Sequence, residues 1–228
     1  MKTVFNIVLV LCAAALIYIC YNSIMGPINF ENAKKDREKA VIARLIDIRK
    51  AQQEYRMLHH GMYAPKLDTL IDFVKNQKLP FVMKVGQLTD DQLESGLTEK
   101  KAMAIINKAK KTGKYDEVKK NGLENFKRDT MWVAVMDTIY PKGFNADSMK
   151  YIPYGNGAIF EMNVKNDTAK SGAPVYLFEV KAPYETYLGG LDRQEIINLK
   201  DLNEKLGRYS GLMVGSIDNP NNGAGNWE

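Results

Sequence analysis

Cysteine is nearly absent from this 228-residue chain: there are two, Cys12 and Cys20, and both fall in one apolar run near the amino terminus. Residues 21–228 therefore offer no disulfide framework and no thiolate metal site. Histidine is as scarce. The only two, His59 and His60, are adjacent, so on a helix they would point about 100° apart and could not share one ion. A positive side chain at the C-terminal end of a helix is the simpler reading. A phosphate loop is missing too, since Gly155–Gly157 and Gly189–Gly190 lack the lysine and strand context of one and read as turns. No nucleophile, base and orienting group can be nominated together, which reads as a non-enzyme.

Acidic residues are missing from the first thirty positions, where Glu31 is the first to occur. Within that stretch Val4 to Tyr21 is a continuous apolar run whose only strongly polar member is Asn6. As a helix it would be roughly 27 Å long, enough to cross a hydrocarbon core. A cleaved signal peptide fits less well, because Ala13–Ala15 lies inside the run and Leu16–Tyr21 continues it. A lipoprotein would need a small residue before its cysteine, whereas Leu11 precedes Cys12 and Ile19 precedes Cys20. The run is therefore expected to be an uncleaved single-pass anchor. Strict counting of Lys34, Lys35, Arg37 and Lys39 opposes an outward domain. A very short basic amino tail behaves as a signal anchor, so the C-terminal domain is placed outside, in the periplasm or beyond, with the anchor in the inner membrane.

What is present beyond the anchor is ordinary for a folded domain: 45% hydrophobic and 26% charged residues over the chain. The balance of +5 does not point to nucleic acid, because the densest lysine run, Lys108 to Lys120, includes acids and reads as a solvated helical face. Val41, Leu45, Ile48, Tyr55 and Leu58 recur at helical spacing, widened by Ile42 and Ala51, and predict an amphipathic helix over about 33–60. Gly26-Pro27 is expected to kink or end the preceding helix, giving an anchor over 1–30 and a head over 31–228. Gly61 suits the helix end, and Pro65 opens a second short helix carrying Leu67, Leu70, Ile71 and Val74.

Residues 78–86 read as a short strand with Pro80 at an edge, and 89–122 as an inserted helical excursion with Thr98 as a cap and a stripe of Ala102, Ile105, Ile106 and Ala109. Strands are then expected at 131–136, 149–152, 158–164 and 175–181, the last two forming an antiparallel hairpin. A helix over about 192–206 and a last strand at 212–214 complete an α+β fold. In it the long helix is expected to bury its stripe against antiparallel sheet between 131 and 182.

Two candidate sites lie in the second half. Asp218, Asn219 and Asn222, with Asn221 and Asn226 nearby, place oxygen donors in an irregular tail that suits a hard cation such as calcium, although Asp218 is the only carboxylate of the cluster. Asp followed by Thr or Ser and an apolar residue recurs at Asp68, Asp129, Asp137, Asp147 and Asp167. It resembles an O-glycosylation sequon of exported bacterial proteins, with Thr168 the best-placed acceptor. The bland alternative is that such pairs cap helices and open strands.

The segment KKDREKAVIARLIDIRKAQQEYRMLHHGMYAPKLDTL, following an apolar helix with Pro27 at its end, resembles type IV pilin-like proteins and is most similar to the major pseudopilin of type II secretion systems. The resemblance rests on the charged segment leading into the helix, on Tyr55, Gly61 and Tyr63 with Ala64 before Pro65, and on the apolar first helix. It implies a long helix packed on an antiparallel sheet, self-association or association with other pilin-like subunits through the amino-terminal helix, a calcium-binding tail, and a structural role in protein transport. The family carries a glutamate shortly after its peptidase site and none precedes Glu31 here, so a divergent member is implied. An anchored binding module presenting Tyr151, Tyr154, Tyr176, Tyr184 and Tyr187 is the other reading.

Overall fold

The computed structural model describes residues 2–168 and 172–228. They divide into two compact units, one formed by the chain up to Val74 together with Gly143–Glu228, the other by Lys75–Lys142.

In the first unit a single helix, α1, runs from Lys2 to Leu58 with Pro27 inside it. Of the kink or end expected at Gly26-Pro27, the end is not found. Proline removes one main-chain donor, and in a bare helix the bonds on either side are enough to carry the helix through. The first half of α1 has no cover: Val4–Ile24 is exposed throughout. Burial begins at Phe30 and continues with Val41, Leu45, Ile48 and Ala51, all wholly shielded. The helical spacing read from the sequence is therefore the buried seam. His60 (φ 53°) and Gly61 (φ 92°) take the left-handed conformation that turns the chain back, and the Gly61 amide donates to Arg56 O at 3.0 Å, closing the helix end. Next comes α2 (Leu67–Asn76), with Leu67, Leu70, Ile71, Phe73 and Val74 buried.

The sheet of this unit has order β3-β4-β5 and is antiparallel throughout, with β3 at Glu161–Thr168, β4 at Pro174–Pro183 and β5 at Gly211–Gly215. Val180 stands between Met162 and Val214 in register, so Met162, Phe178, Val180, Ala182, Leu212 and Val214 line one face. The expected hairpin and last strand are both found. Residues 149–152 are not a strand: Ala146–Lys150 is a 3₁₀ turn and only Tyr151 bridges, to Ile159. Two helices cover the path from β4 to β5, a single turn α7 (Tyr184–Tyr187) and α8 (Arg193–Lys205), whose Asp192 cap accepts from the amides of Gln194 and Glu195.

The second unit is larger than the expected excursion at 89–122. It begins and ends with strands β1 (Lys78–Val85) and β2 (Lys127–Ala134), which pair with each other as a separate two-stranded ribbon. Residues 131–134 accordingly belong to a different sheet from 161–183, which corrects the single sheet expected between 131 and 182. Pairing β1 with β2 satisfies both strands locally, and Pro80, opposite Trp132 in a ribbon with no interior strand, costs no ladder bond that matters. Between them lie α3 (Asp90–Glu94), α4 (Glu99–Thr112) and α5 (Asp116–Lys120), and after β2 a short helix α6 (Val135–Ile139). Thr98 caps α4 as expected, accepting from the Lys101 amide at 3.3 Å. Ala102, Ile106 and Ala109 form a small core with Val118, Leu123 and Phe126, and Ile105 packs against it half-buried.

Candidate functional site

The features that bear on function cluster along α1. Successive residues turn by about 100°, which sets Val41, Leu45, Ile48 and position 52 on one seam, Arg37 and Arg44 along one border of it, and Arg49 and Arg56 along the other. Each arginine is spent on the first unit. Arg37 donates to Tyr187 O and Gly189 O, both at 2.9 Å. Arg44 donates to Ser148 O. Arg49 reaches Gly223 O at 3.2 Å and Glu228 Oε1 at 2.6 Å, and Arg56 lies at 3.2 Å from Tyr63 Oη. Such bonds to carbonyls leave the apolar seam to supply burial energy and fix its rotation.

Gln52 is the buried residue the sequence reading passed over. It is wholly shielded; its Nε2 donates to Ala64 O at 3.1 Å and its Oε1 accepts from Ala64 N at 2.9 Å. This closes the chain leaving the helix back onto the helix. A proline at position 64 would lack the donated N–H, and alanine keeps it. The signal was available: 41, 45, 48 and 52 continue one heptad seam, and a polar residue there demands a partner.

Where α1 enters the unit there is a cleft of about 710 Å³, walled among others by Lys34, Glu38, Tyr184, Arg208, Tyr209 and Trp227. The Trp227 indole lies so close on Gly225 that a Cβ there would sit 2.4 Å from the ring. Burial raises the Glu38 carboxyl above its ordinary value, Lys34 partly offsets this, and Glu31 adds to it. Tyr187, fully buried, is likewise raised, by burial first and then by Glu38. Tyr209 is pushed up to about 12 by burial and by Glu161 and Glu179.

A pH dependence follows. Burial also raises Asp47 and Glu54. From the ordinary values, near 3.8 for Asp47 and 4.5 for Glu38 and Glu54, up to the raised values, the folded chain holds protons that the unfolded chain has released, so stability falls as pH rises through that window. Below it both states are protonated and the penalty vanishes. Glu38→Gln is expected to raise the melting temperature at neutral pH and flatten its decline, converging on the parent at acid pH; equal pH profiles for the two proteins would contradict this.

Asp218, Asn219 and Asn222 are exposed. Their neighbours are spent on the main chain: Asn221 accepts from Gly223 N and donates to Ala224 O, and Asn226 accepts from Met213 N and donates to Gly211 O, fastening the tail to β5. Among the described residues no three His, Cys, Asp or Glu side chains come together as a metal would need. Thr168 is exposed and ends β3, with Asp167 accepting its amide at 2.8 Å; residues 169–171 of the expected link, Ala169 of that triplet included, lie outside the described residues. Thr138 Oγ1 donates to Ala134 O inside α6. His59 stacks on Tyr55 at 3.8 Å and bonds Tyr55 O through Nδ1, a helix-end role. Of the tyrosines of the binding-module reading, Tyr184 and Tyr187 are buried on α7, while Tyr151 and Tyr154 are exposed.

One helix, within Val4–Leu58, is long and apolar enough to cross a membrane, and its most apolar window is wholly unburied. No protein-family model matches the chain, and no curated protein or solved structure matches it either.

Proposed function

We propose that this chain is a membrane-anchored, pilin-like structural subunit of a secretion or pilus-type envelope assembly, single-pass in the inner membrane with its C-terminal part on the periplasmic or extracellular side. The observation that carries the reading is the division of α1, one 57-residue helix that is bare and apolar over its first half and the buried spine of an α/β unit over its second. Apolar surface of that extent needs lipid or other apolar helices to cover it. Within lipid, helices associate by shape and close packing and not by exclusion of water, so copies of one rod, or rods of similar subunits, pair in a fixed register. The rigid continuation through Pro27 would transmit that register to the head.

The free thiols at Cys12 and Cys20 test this. Oxidative crosslinking of the full chain in membranes, with Cys12→Ser and Cys20→Ser compared, is expected to give disulfide-linked dimers at one position in preference to the other. Monomer in both variants, at every protein-to-lipid ratio, would favour the second reading, an anchored binding module that forms no filament and uses the cleft beside Lys34 and Trp227.

A further inference from the structure

The charge of this protein is not spread over it. The unit Lys75–Lys142 holds fourteen lysines and arginines against nine acids, a balance of +5, while the remaining residues hold eighteen of each and are neutral. Within the charged unit, α4 and α5 close over a small core and leave a wide-mouthed hollow of about 350 Å³. Ile106, Val118, Leu123 and Phe126 form its floor, all apolar and all members of that core. Lys110, Lys119 and Lys127 stand around the mouth, each exposed, against Glu124 as the single acid there. Tyr115, half exposed, completes the rim.

We propose that this hollow is a docking site for an acidic segment of a partner protein, which seats one apolar side chain on the floor and sets flanking carboxylates against the three lysines. An apolar floor under a cationic rim is complementary to an anionic group carrying a hydrophobic anchor, and a buried anchor within a charged ring is how a few residues supply most of a contact's energy. The lysines steer the encounter and set its salt dependence, and the floor holds the complex once formed. A lipid surface fits the geometry less well. Bilayers accept convex apolar faces, whereas these apolar atoms lie at the bottom of a depression that headgroups meeting the lysine rim would not reach. The lysine run from Lys108 to Lys120 thus has a use beyond keeping a helix face solvated.

The test uses the full chain in nanodiscs of zwitterionic lipid and a fluorescein-labelled peptide with a phenylalanine flanked on both sides by acidic residues, read by fluorescence anisotropy. The peptide is expected to bind, more weakly at high salt. Replacing its phenylalanine by alanine, or changing the protein by Lys110→Gln with Lys119→Gln, should each weaken binding about tenfold or more. Lys78→Gln with Lys100→Gln removes the same charge from the same unit away from the mouth and should leave binding near its original strength. Equal binding of the alanine peptide, equal loss in the control variant, or no binding of the acidic peptide would overturn the proposal. So would anionic-lipid nanodiscs that by themselves shield Lys110, Lys119 and Lys127 from acetylation and exclude the peptide, which would assign the hollow to a membrane surface.

Discussion

Leu45→Asp is expected to unfold the first unit while leaving the apolar half of α1 helical. Leu45 is wholly shielded, between Val41 and Ile48 on the buried seam of α1. Truncation alone, as Leu45→Ala, should cost about 2–5 kcal/mol, the range for deleting a core leucine. Aspartate adds the cost of burying a carboxylate in an apolar seam, and the total then reaches the whole stability of an ordinary domain, about 5–15 kcal/mol. Hydrogen exchange of the full chain in nanodiscs reads the outcome directly. Protection should vanish along β3, β4 and β5 and in α1 beyond Phe30 and, with α1 anchored as proposed, persist over Val4–Ile24, which the unit leaves exposed. Gln53→Asp, one residue past the seam and exposed, should change stability by about 0.5 kcal/mol or less. Retained protection in the sheet of Leu45→Asp would show that α1 is not its spine.

The second large effect belongs to Gln52. In Gln52→Leu the side chain keeps its bulk but leaves the N–H and the C=O of Ala64 facing an apolar group, both of them in a residue with no exposure. Each orphaned buried group costs about 1–3 kcal/mol, so a loss of about 2–4 kcal/mol is expected after partial relaxation. Gln52→Glu separates the two bonds. Its carboxylate still accepts from Ala64 N but offers nothing to Ala64 O and is itself desolvated, so at neutral pH it should be as damaging as leucine or worse. On acidification the protonated carboxyl regains a donor, and stability should recover relative to Gln52→Leu. Thermal unfolding of the three proteins across pH measures this. A Gln52→Glu variant that tracks Gln52→Leu at every pH would refute the bidentate clamp.

These two residues mark how far the sequence could be read. Leu45 and its companions were legible because burying one stripe of a helix leaves a 3.6-residue rhythm of apolar side chains that no partner need be known to recognise. The same is true of the bare run Val4–Tyr21, of the β3–β4 hairpin and of α8 with its Asp192 cap, where each signal lies within one short continuous stretch of chain. Gln52 was hidden because its meaning depends on Ala64, met only after the chain reverses at His60 and Gly61. The partners of Arg37, Arg44 and Arg49, carbonyls at Tyr187, Gly189, Ser148 and Gly223 and the carboxylate of Glu228, were hidden for the same reason, since they lie far along the chain.

The amino-acid order by itself determined the long apolar helix, its amphipathic continuation and most element types, since each follows from local periodicity or composition. Tertiary structure decided which strands pair, and so that β1 and β2 form their own ribbon and divide the chain into a neutral unit and a charged one. It also decided that the tail asparagines fasten β5. Strand pairing and hydrogen-bond partnership are choices among chain segments distant in sequence, and the energy that selects one pairing over another comes from surfaces that exist only after the chain has closed on itself.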